Sequence, residues 1–334
     1  MSDTIKSAAG EKHDVRLLSW VQGRLWAHIN PKTESLRFDL GEKAAKVTEA
    51  LKDFNNQVAK RNANWDLADS SWTLNHIDLF SEKEKELVSH FQQRFSEIQT
   101  AYNKLPKSVI HGDLNDYNII VSDDLITPKI KGFIDFGDAV YTQVINDLAI
   151  LLAYAIMDTP DPLEAALDVI KGYNRFYKIT EKEHDCLYSL VAMRLITTVT
   201  SSALRKIEDP TNKYHVISEK PAWKLLYKWF AIHEEFACYS FRYACGFSPH
   251  PSEAVFKSWT ETTNLNFSDL FPSYLSSEES TTENKTEEIA LLDLKVSSTW
   301  MGSKADFNDL ELFQFKIDQL QNKNPTKLIA GGYC

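Results

Sequence analysis

Three polar residues in the middle of the chain have the types and the spacing that phosphoryl transfer requires. Asp113 lies five positions before Asn118, and Asp135-Phe136-Gly137 follows 17 positions after that asparagine. In enzymes that phosphorylate hydroxyl groups, one aspartate accepts the hydroxyl proton. An asparagine and a second aspartate bind the magnesium that bridges the nucleotide phosphates. The pattern indicates a catalytic and metal-binding centre between residues 109 and 138.

Short apolar runs around these residues predict the strands that would position them. The runs at Val109-Ile110, 118–121 and 131–136 are typical of strands, and the polar residues 122–124 are typical of a turn. Such a hairpin would present Asn118 and Asp135 at its mouth to one metal site. Asp113 would lie on the adjacent loop, where the hydroxyl group would arrive.

Two other interpretations of the same residues are open. Asp, Asn and Gly favour turns, so these positions could be ordinary turn residues. The combination of Asp-x-x-x-x-Asn, a following Asp-Phe-Gly and well-placed strands favours a functional site over that interpretation. His111 with Asp113 could also belong to a metal-dependent hydrolase, but no further His-rich motif completes one. We expect His111 to support the catalytic loop through hydrogen bonds.

Helical periodicity dominates the rest of the sequence. Apolar residues recur at helical spacing over 33–54, 81–102, 163–177, 181–204 and 222–243. The segment 148–157 is nearly all apolar, which predicts a central buried helix capped by Asp147. The predicted fold class is α+β, mainly helical, with a small β-hairpin that carries the catalytic and metal residues.

Composition restricts the partners. The chain has 334 residues, of which 43% are hydrophobic, so it can bury a sizeable core. Its net charge of −10 argues against nucleic acid or an anionic membrane as a main partner. No secretion signal precedes His13, and no apolar run of about 18 residues marks a membrane span. The four cysteines form no CxxC pair, so we expect reduced thiols and a cytoplasmic protein.

Composition also divides the chain into segments. Residues 1–13 are polar and predicted to be disordered, and residues 14–23 are predicted to form a strand that ends at a Gln-Gly turn. The folded domain is expected to cover 24–272. Residues 273–290 are acidic and of low complexity, which predicts a linker, and 291–334 form a tail in which a further domain could begin.

The segments 111–118 and 134–138, HGDLNDYN and IDFGD, resemble the aminoglycoside phosphotransferase/choline kinase superfamily. Members of this superfamily have His-Gly-Asp where protein kinases have His-Arg-Asp. Within it, the chain is most similar to the hydroxylysine kinase-like branch over about residues 14–230. The segments that support this branch are 15–18, 65–67, 135–138, 172–173, 193–195, 209–214, 217–219 and 222–223.

The resemblance implies a protein-kinase-like C-lobe over 24–272. It implies that Asp113 is the catalytic base and that Asn118 and Asp135 bind Mg²⁺. ATP or GTP would be the phosphoryl donor, and a small amino alcohol or hydroxy amino acid the acceptor. The strand over 14–23 would be the hinge whose backbone contacts the purine, at residues Leu18, Ser19 and Trp20.

The same resemblance suggests further roles and leaves alternatives open. Asp138 and Arg194 could bind a cationic or zwitterionic substrate, or could form local salt bridges. Aromatic residues Trp65, Trp72 and Tyr154 are expected in the core rather than around a substrate.

In this superfamily an N-lobe with a phosphate-covering loop and a phosphate-binding lysine precedes the hinge. Residues 1–13 contain no such loop, and Lys6 and Lys12 lack a flanking apolar strand. We therefore expect a C-lobe without its N-lobe, in which half of the phosphate clamp is absent. Two alternatives to a working kinase follow: a non-catalytic kinase-like binding module, or a fragment of a larger kinase–aminotransferase fusion protein, which 291–334 resembles.

Overall fold

Helices make up most of the part of the chain that the structure describes, with short strands among them. This structure is a computed structural model, and it describes residues 2–54, 56–61, 63, 65–209, 211 and 217–248. The α+β, mainly helical fold class is confirmed. The predicted linker 273–290, the tail 291–334 and residues 249–272 of the predicted C-lobe lie outside the described residues.

The helices are α1 (Glu34–Leu51), α2 (Glu82–Tyr102), α3 (Ile145–Ala155), α4 (Pro162–Tyr173), α5 (Glu181–Glu208), α6 (Glu219–Phe230) and α7 (Glu234–Ala244). The strands are β1 (Ser2–Lys6), β2 (Lys12–Arg16), β3 (Arg24–Leu25), β4 (Lys107–Ile110), β5 (Ile119–Val121), β6 (Ile130–Phe133) and β7 (Val140–Gln143). Segments of 3₁₀ helix cover Trp26–His28, Gln57–Ala59, Leu67–Leu79 and Phe136–Asp138.

Strands β5 and β6 form the predicted hairpin. Strand β5 lies between β3 and β6 in an antiparallel sheet, and Ile119 pairs with Phe133. The backbone N–H of Ile134 donates to the carbonyl of Asn118 over 3.0 Å. The hairpin therefore holds the backbones of residues 118 and 134 side by side, so that Asn118 and Asp135 are neighbours although 17 positions separate them.

The strand predicted at Val109-Ile110 belongs to a separate two-stranded sheet. Strand β4 pairs with β7 in antiparallel fashion, with Val109 opposite Tyr141 and Ile110 opposite Val140. The loop 111–118 connects the end of β4 to the start of β5, and residues 134–139 connect β6 to β7. The pairing of β4 with β7 and of β5 with β6 therefore places the loops 111–118 and 134–139 next to each other.

The predictions for the N-terminus need correction. Residues 2–16 form the β1–β2 hairpin instead of a disordered segment, closed by hydrogen bonds from Ser7 N–H to the Glu11 carbonyl and from Gly10 N–H to the Ser7 carbonyl. Strand β2 covers Lys12–Arg16, so the predicted strand over 14–23 ends seven residues early. Residues 4–6 and 12–15 of these strands are exposed, so the hairpin needs no alternation of apolar residues and the sequence pattern gives no signal for it.

The core is built around α5, which packs on α2, α3, α6 and α7. Its N-terminus has a capping box, in which the Glu183 carboxylate accepts from the backbone and hydroxyl of Thr180 over 2.8 and 2.7 Å. Helix α5 is long and apolar enough to cross a membrane by composition, but most of that window is buried inside the protein, as expected of a core helix. Helix α3 is entirely buried, as predicted.

The helical pattern over 222–243 corresponds to two helices. Helix α6 ends at Phe230 and α7 begins at Glu234. The Tyr188 hydroxyl, on α5, lies 3.0 Å from the carbonyls of Trp229 and Ile232 at this break. A partner 40 or more positions away stabilises the break, so no glycine or proline marks it in the sequence.

His184 is expected to make the fold acid-sensitive. Burial, followed by the charge of Arg242, lowers the pKa of His184 from 6.5 to about 4, and both ring nitrogens lack a hydrogen-bond partner among the described residues. Between these values the unfolded chain binds the proton and the folded chain does not. The free energy of unfolding should therefore fall by about 3 kcal/mol through this group as pH drops from 6.5 to 4.

Urea unfolding at several pH values measures this contribution. His184→Phe should lose the extra decline below pH 6.5, whereas a control change at the exposed His90 should keep it. Parallel curves for wild type and His184→Phe would contradict the prediction.

Candidate active site

The buried carboxylate of Asp147 holds the start of the loop 111–118. The backbone N–H groups of His111 and Gly112 each donate to the Asp147 carboxylate over 3.0 Å. Burial raises the pKa of Asp147, and His111 and these two donors oppose that rise. The prediction that Asp147 caps a helix beginning at residue 148 is wrong, because α3 begins at Ile145 and the Asp147 side chain points to the loop.

Gly112 brings this loop against the turn that follows Asp135. Its φ of +81° favours glycine, and a Cβ atom there would lie 2.5 Å from the backbone carbonyl oxygen of Asp138. Any side chain at this position would separate the two loops. Close packing of the two loops therefore explains why the His-Gly-Asp motif has glycine at its second position.

Asp113 is held by three side chains. Its Oδ2 accepts from Asn115 Nδ2 over 2.7 Å and from Asn118 Nδ2 over 3.0 Å. Its Oδ1 accepts from Arg194 Nη2 over 2.6 Å, and the Arg194 side chain is only 1% exposed. The carboxylate is 19% exposed, so it is fixed in orientation and still reachable from the cavity. Of the two alternatives for Arg194, the structure shows the salt bridge.

His111 connects the two loops. Its Nε2 lies 3.0 Å from the carbonyl of Ile134, and its Nδ1 lies 3.3 Å from the backbone N–H of Asp113. A neutral ring with its proton on Nε2 satisfies both contacts. The ring also packs on Phe136, with the ring centroids 4.4 Å apart. These are the contacts expected of a residue that supports the loop.

Asn118 and Asp135 have the chemistry of ligands for a hard cation. The Asn118 amide donates to the Asp113 backbone carbonyl over 2.9 Å, so its nitrogen is fixed and its Oδ1 is left to bind elsewhere. Asp135 is exposed and adopts a left-handed conformation (φ 63°). Its Oδ1 accepts a hydrogen bond from the Gly137 N–H, which leaves Oδ2 to bind a cation. One amide and one carboxylate oxygen suit Mg²⁺, which commonly takes few protein ligands beside substrate phosphates.

Arg61 reaches the turn after Asp135 from a distant segment. Its Nη2 donates to the Gly137 carbonyl over 2.7 Å and lies 4.0 Å from the Asp138 carboxylate. Of the two roles considered for Asp138, substrate binding or a salt bridge, the structure shows the salt bridge. No motif in the sequence points to Arg61, because its partners are 76 and 77 positions away.

Asp113, Asn118 and Asp135 line one cavity of about 260 Å³. Tyr154 lies in the core, as predicted, and also lines this cavity. Trp65, also predicted to lie in the core, is instead partly exposed and lines the cavity, whereas Trp72 packs on His76. The lining residues are Trp65, Asp113, Asn115, Asp116, Tyr117, Asn118, Asp135, Asp138, Tyr154, Arg194, Thr198, Ser201, Ser202, Arg205, Ile217, Ser218 and Glu219.

Asp116 adds a partly buried carboxylate to the cavity wall. Burial raises its pKa to about 6, although Lys32 lies close enough to oppose the rise. Its Oδ1 has no hydrogen-bond partner among the described residues. The sequence motif includes this residue but does not indicate its burial.

The predicted hinge residues lie apart from the cavity lining. Leu18 and Trp20 are 80% and 89% exposed, and Ser19 is exposed between them. The segment runs past the β5–β6 hairpin, where Val21 approaches the position of a Cβ on Gly132 to 4.0 Å. Contact of this segment with a purine stays a prediction.

Comparison with known proteins finds similarity to phosphotransferases and small-molecule kinases. A family model described as "Phosphotransferase enzyme family" matches residues 3–181, which is more than half of the chain. Hydroxylysine kinase of Mus musculus is 26% identical over 68% of this chain and 64% of its own length. Homoserine kinase of Zymomonas mobilis is 28% identical over 54% of this chain and 56% of its own length.

The chain thus spans less than two thirds of the length of these curated relatives. Among solved structures, a microcompartment-associated aminopropanol kinase matches with a TM-score of 0.48 and 18% identity, over 72% of this chain and 71% of that one.

Proposed function

Because the chain belongs to the phosphotransferase enzyme family, we propose that it is a small-molecule kinase. It would transfer the γ-phosphoryl group of a nucleoside triphosphate to the hydroxyl group of an amino alcohol or hydroxy amino acid. One observation carries this proposal: Asp113, Asn118 and Asp135 line a single cavity. The hydrogen bonds that fix Asp113 support its role as the base, because a catalytic base must be held in a defined orientation.

In the proposed reaction, the acceptor hydroxyl approaches Asp113, whose carboxylate accepts its proton. The acceptor oxygen forms a bond to the γ-phosphorus, and the bond from that phosphorus to the β,γ-bridging oxygen breaks. The products are a phosphate ester and a nucleoside diphosphate. Arg194 and Asn118 keep the carboxylate oriented during the proton transfer.

Asn118 and Asp135 would hold Mg²⁺, as their oxygen donors suit it. Bound there, the ion would neutralise charge on the phosphates of ATP or GTP. Arg61 would keep the turn at 136–138 in place through the Gly137 carbonyl.

We propose a cytoplasmic location, where nucleoside triphosphates are abundant. The unpaired state of the described cysteines, Cys186, Cys238 and Cys245, suits that compartment.

The acceptor class is proposed from the relatives. Hydroxylysine and homoserine, named in two of them, are both α-amino acids with a hydroxyl on the side chain. A cavity of about 260 Å³ can hold a molecule of this size.

A transfer assay with a panel of acceptors tests the proposal. The chain is incubated with Mg²⁺, ATP or GTP, and hydroxylysine, homoserine, ethanolamine or aminopropanol, and nucleoside diphosphate release is measured. We expect release that depends on at least one acceptor. Nucleotide-dependent thermal stabilisation without any acceptor-dependent release would contradict the kinase and favour a non-catalytic binding module.

A further inference from the structure

The cavity that contains the proposed base carries an excess of negative charge. Of the described side chains, the guanidinium groups of Arg194 and Arg205 line it. The carboxylates that line it are more numerous: Asp113, Asp116, Asp135, Asp138 and Glu219. A bound Mg²⁺ would offset part of this excess, but the phosphates of the donor would add negative charge of their own. The wall therefore favours an acceptor that carries a positive charge.

Four of these carboxylates already have a cation assigned to them. The salt bridges are those of Asp113 with Arg194 at 2.6 Å, Glu219 with Lys206 at 2.6 Å and Asp138 with Arg61 at 4.0 Å. Asp135 is the proposed ligand of Mg²⁺. Asp116 differs from them, because it forms no salt bridge with any described residue. Lys32 lies close enough to affect its pKa but does not pair with it.

The Asp116 carboxylate also receives no hydrogen bond from another described residue. Its Oδ1 is buried without a partner, which leaves part of its hydrogen-bonding capacity unused. The residue is nevertheless held in place, because its backbone carbonyl accepts from the Ala27 N–H over 3.0 Å. The cavity wall thus holds one carboxylate whose partner is not supplied by the described part of the chain.

Asp116 lies close to the place where the acceptor hydroxyl would react. Three positions separate it from Asp113, so their Cα atoms are at most about 10 Å apart. Both line the same cavity, and the charge of Asp113 contributes to the raised pKa of Asp116. Two carbon atoms separate the hydroxyl and amino groups in ethanolamine, and three do in homoserine. An acceptor with its hydroxyl at Asp113 therefore has its amino group within reach of Asp116.

We propose that Asp116 binds the ammonium group of the acceptor, so that amino compounds are phosphorylated in preference to alcohols that lack this group. This inference rests on the proposed kinase function. An ammonium group supplies both the positive charge and the N–H donors that the Asp116 carboxylate lacks. An acceptor without an amino group would enter the cavity and leave this carboxylate unpaired.

Pairs of acceptors with and without the amino group test this inference. Homoserine is compared with 4-hydroxybutyrate, and ethanolamine with ethanol, so that each pair keeps the reacting hydroxyl. We expect wild type to favour the amino compound about 100-fold in kcat/KM. Asp116→Asn should lower that ratio about 10-fold or more, mainly through a higher KM for the amino compound. Asp116→Glu, which keeps the charge, should retain more of the ratio than Asp116→Asn.

Asp123→Asn is the control and should keep the wild-type ratio, because Asp123 is exposed and does not line the cavity. A wild-type ratio near one, or an unchanged ratio in Asp116→Asn, would overturn the inference and leave the kinase function standing. An equal fall in kcat/KM for both members of a pair would also overturn it, since Asp116 would then act through the fold or the donor. Failure to phosphorylate homoserine, hydroxylysine, ethanolamine and aminopropanol would instead refute the proposed function.

Discussion

Asp113→Asn should lower kcat about 1000-fold, because asparagine cannot accept the proton of the acceptor hydroxyl. Its amide is nearly the same size as the carboxylate and retains one oxygen for the surrounding donors. Nucleotide binding should persist, since Asn118 and Asp135 are unchanged. Single-turnover kinetics with the preferred acceptor measures the effect. The exposed Asp123, in the turn between β5 and β6, provides the control variant Asp123→Asn.

The same substitution should also destabilise the fold. Arg194 is 1% exposed, and it would lose its carboxylate partner while remaining buried. Breaking a buried ion pair from one side costs about 3 kcal/mol or more. The double variant Asp113→Asn/Arg194→Met should recover much of that stability without recovering activity. Recovery of activity along with stability would show that Asp113 acts only through the fold.

Asp135→Asn should lower kcat/KM about 100- to 1000-fold and abolish the Mg²⁺ dependence of nucleotide binding. Asparagine tolerates the left-handed conformation at φ 63° and can still accept from the Gly137 N–H. The unfolding temperature should therefore stay within a degree or two of wild type, because Asp135 is exposed.

Calorimetric titration of nucleotide with and without Mg²⁺ measures the second effect. Asp123→Asn again serves as the control. Retention of Mg²⁺-enhanced binding in Asp135→Asn would contradict the assignment of Asp135 as a metal ligand.

The local parts of the site could be predicted because their signals are local. Strand periodicity and turn residues within 30 positions define the β5–β6 hairpin, and its pairing brings Asn118 and Asp135 together. The spacing of Asp113 from Asn118 also allows the contact seen between them, at 3.0 Å. Such short-range geometry follows directly from the sequence.

The contacts that hold the site in place could not be predicted, because the partners lie far apart in the chain. The resemblance points to Arg194 but not to its partner. Asp147 binds the loop from 36 positions away, and Arg194 reaches Asp113 across 81 positions. Trp65 lines the cavity because it packs near Arg194, 129 positions further on. A single sequence contains no periodicity that reports such pairs. The β1–β2 hairpin could not be predicted for another reason: it is polar, and residues 4–6 and 12–15 of its strands are exposed.

The fate of the γ-phosphoryl group tests the central claim most directly. Wild-type protein is mixed with Mg²⁺, γ-³²P-labelled nucleotide and the best acceptor of the panel, and the products are separated and counted. We predict that the label moves to a phosphate ester of the acceptor in one-to-one proportion with nucleoside diphosphate. Label that stays on the nucleotide, or appears only as inorganic phosphate, would contradict it.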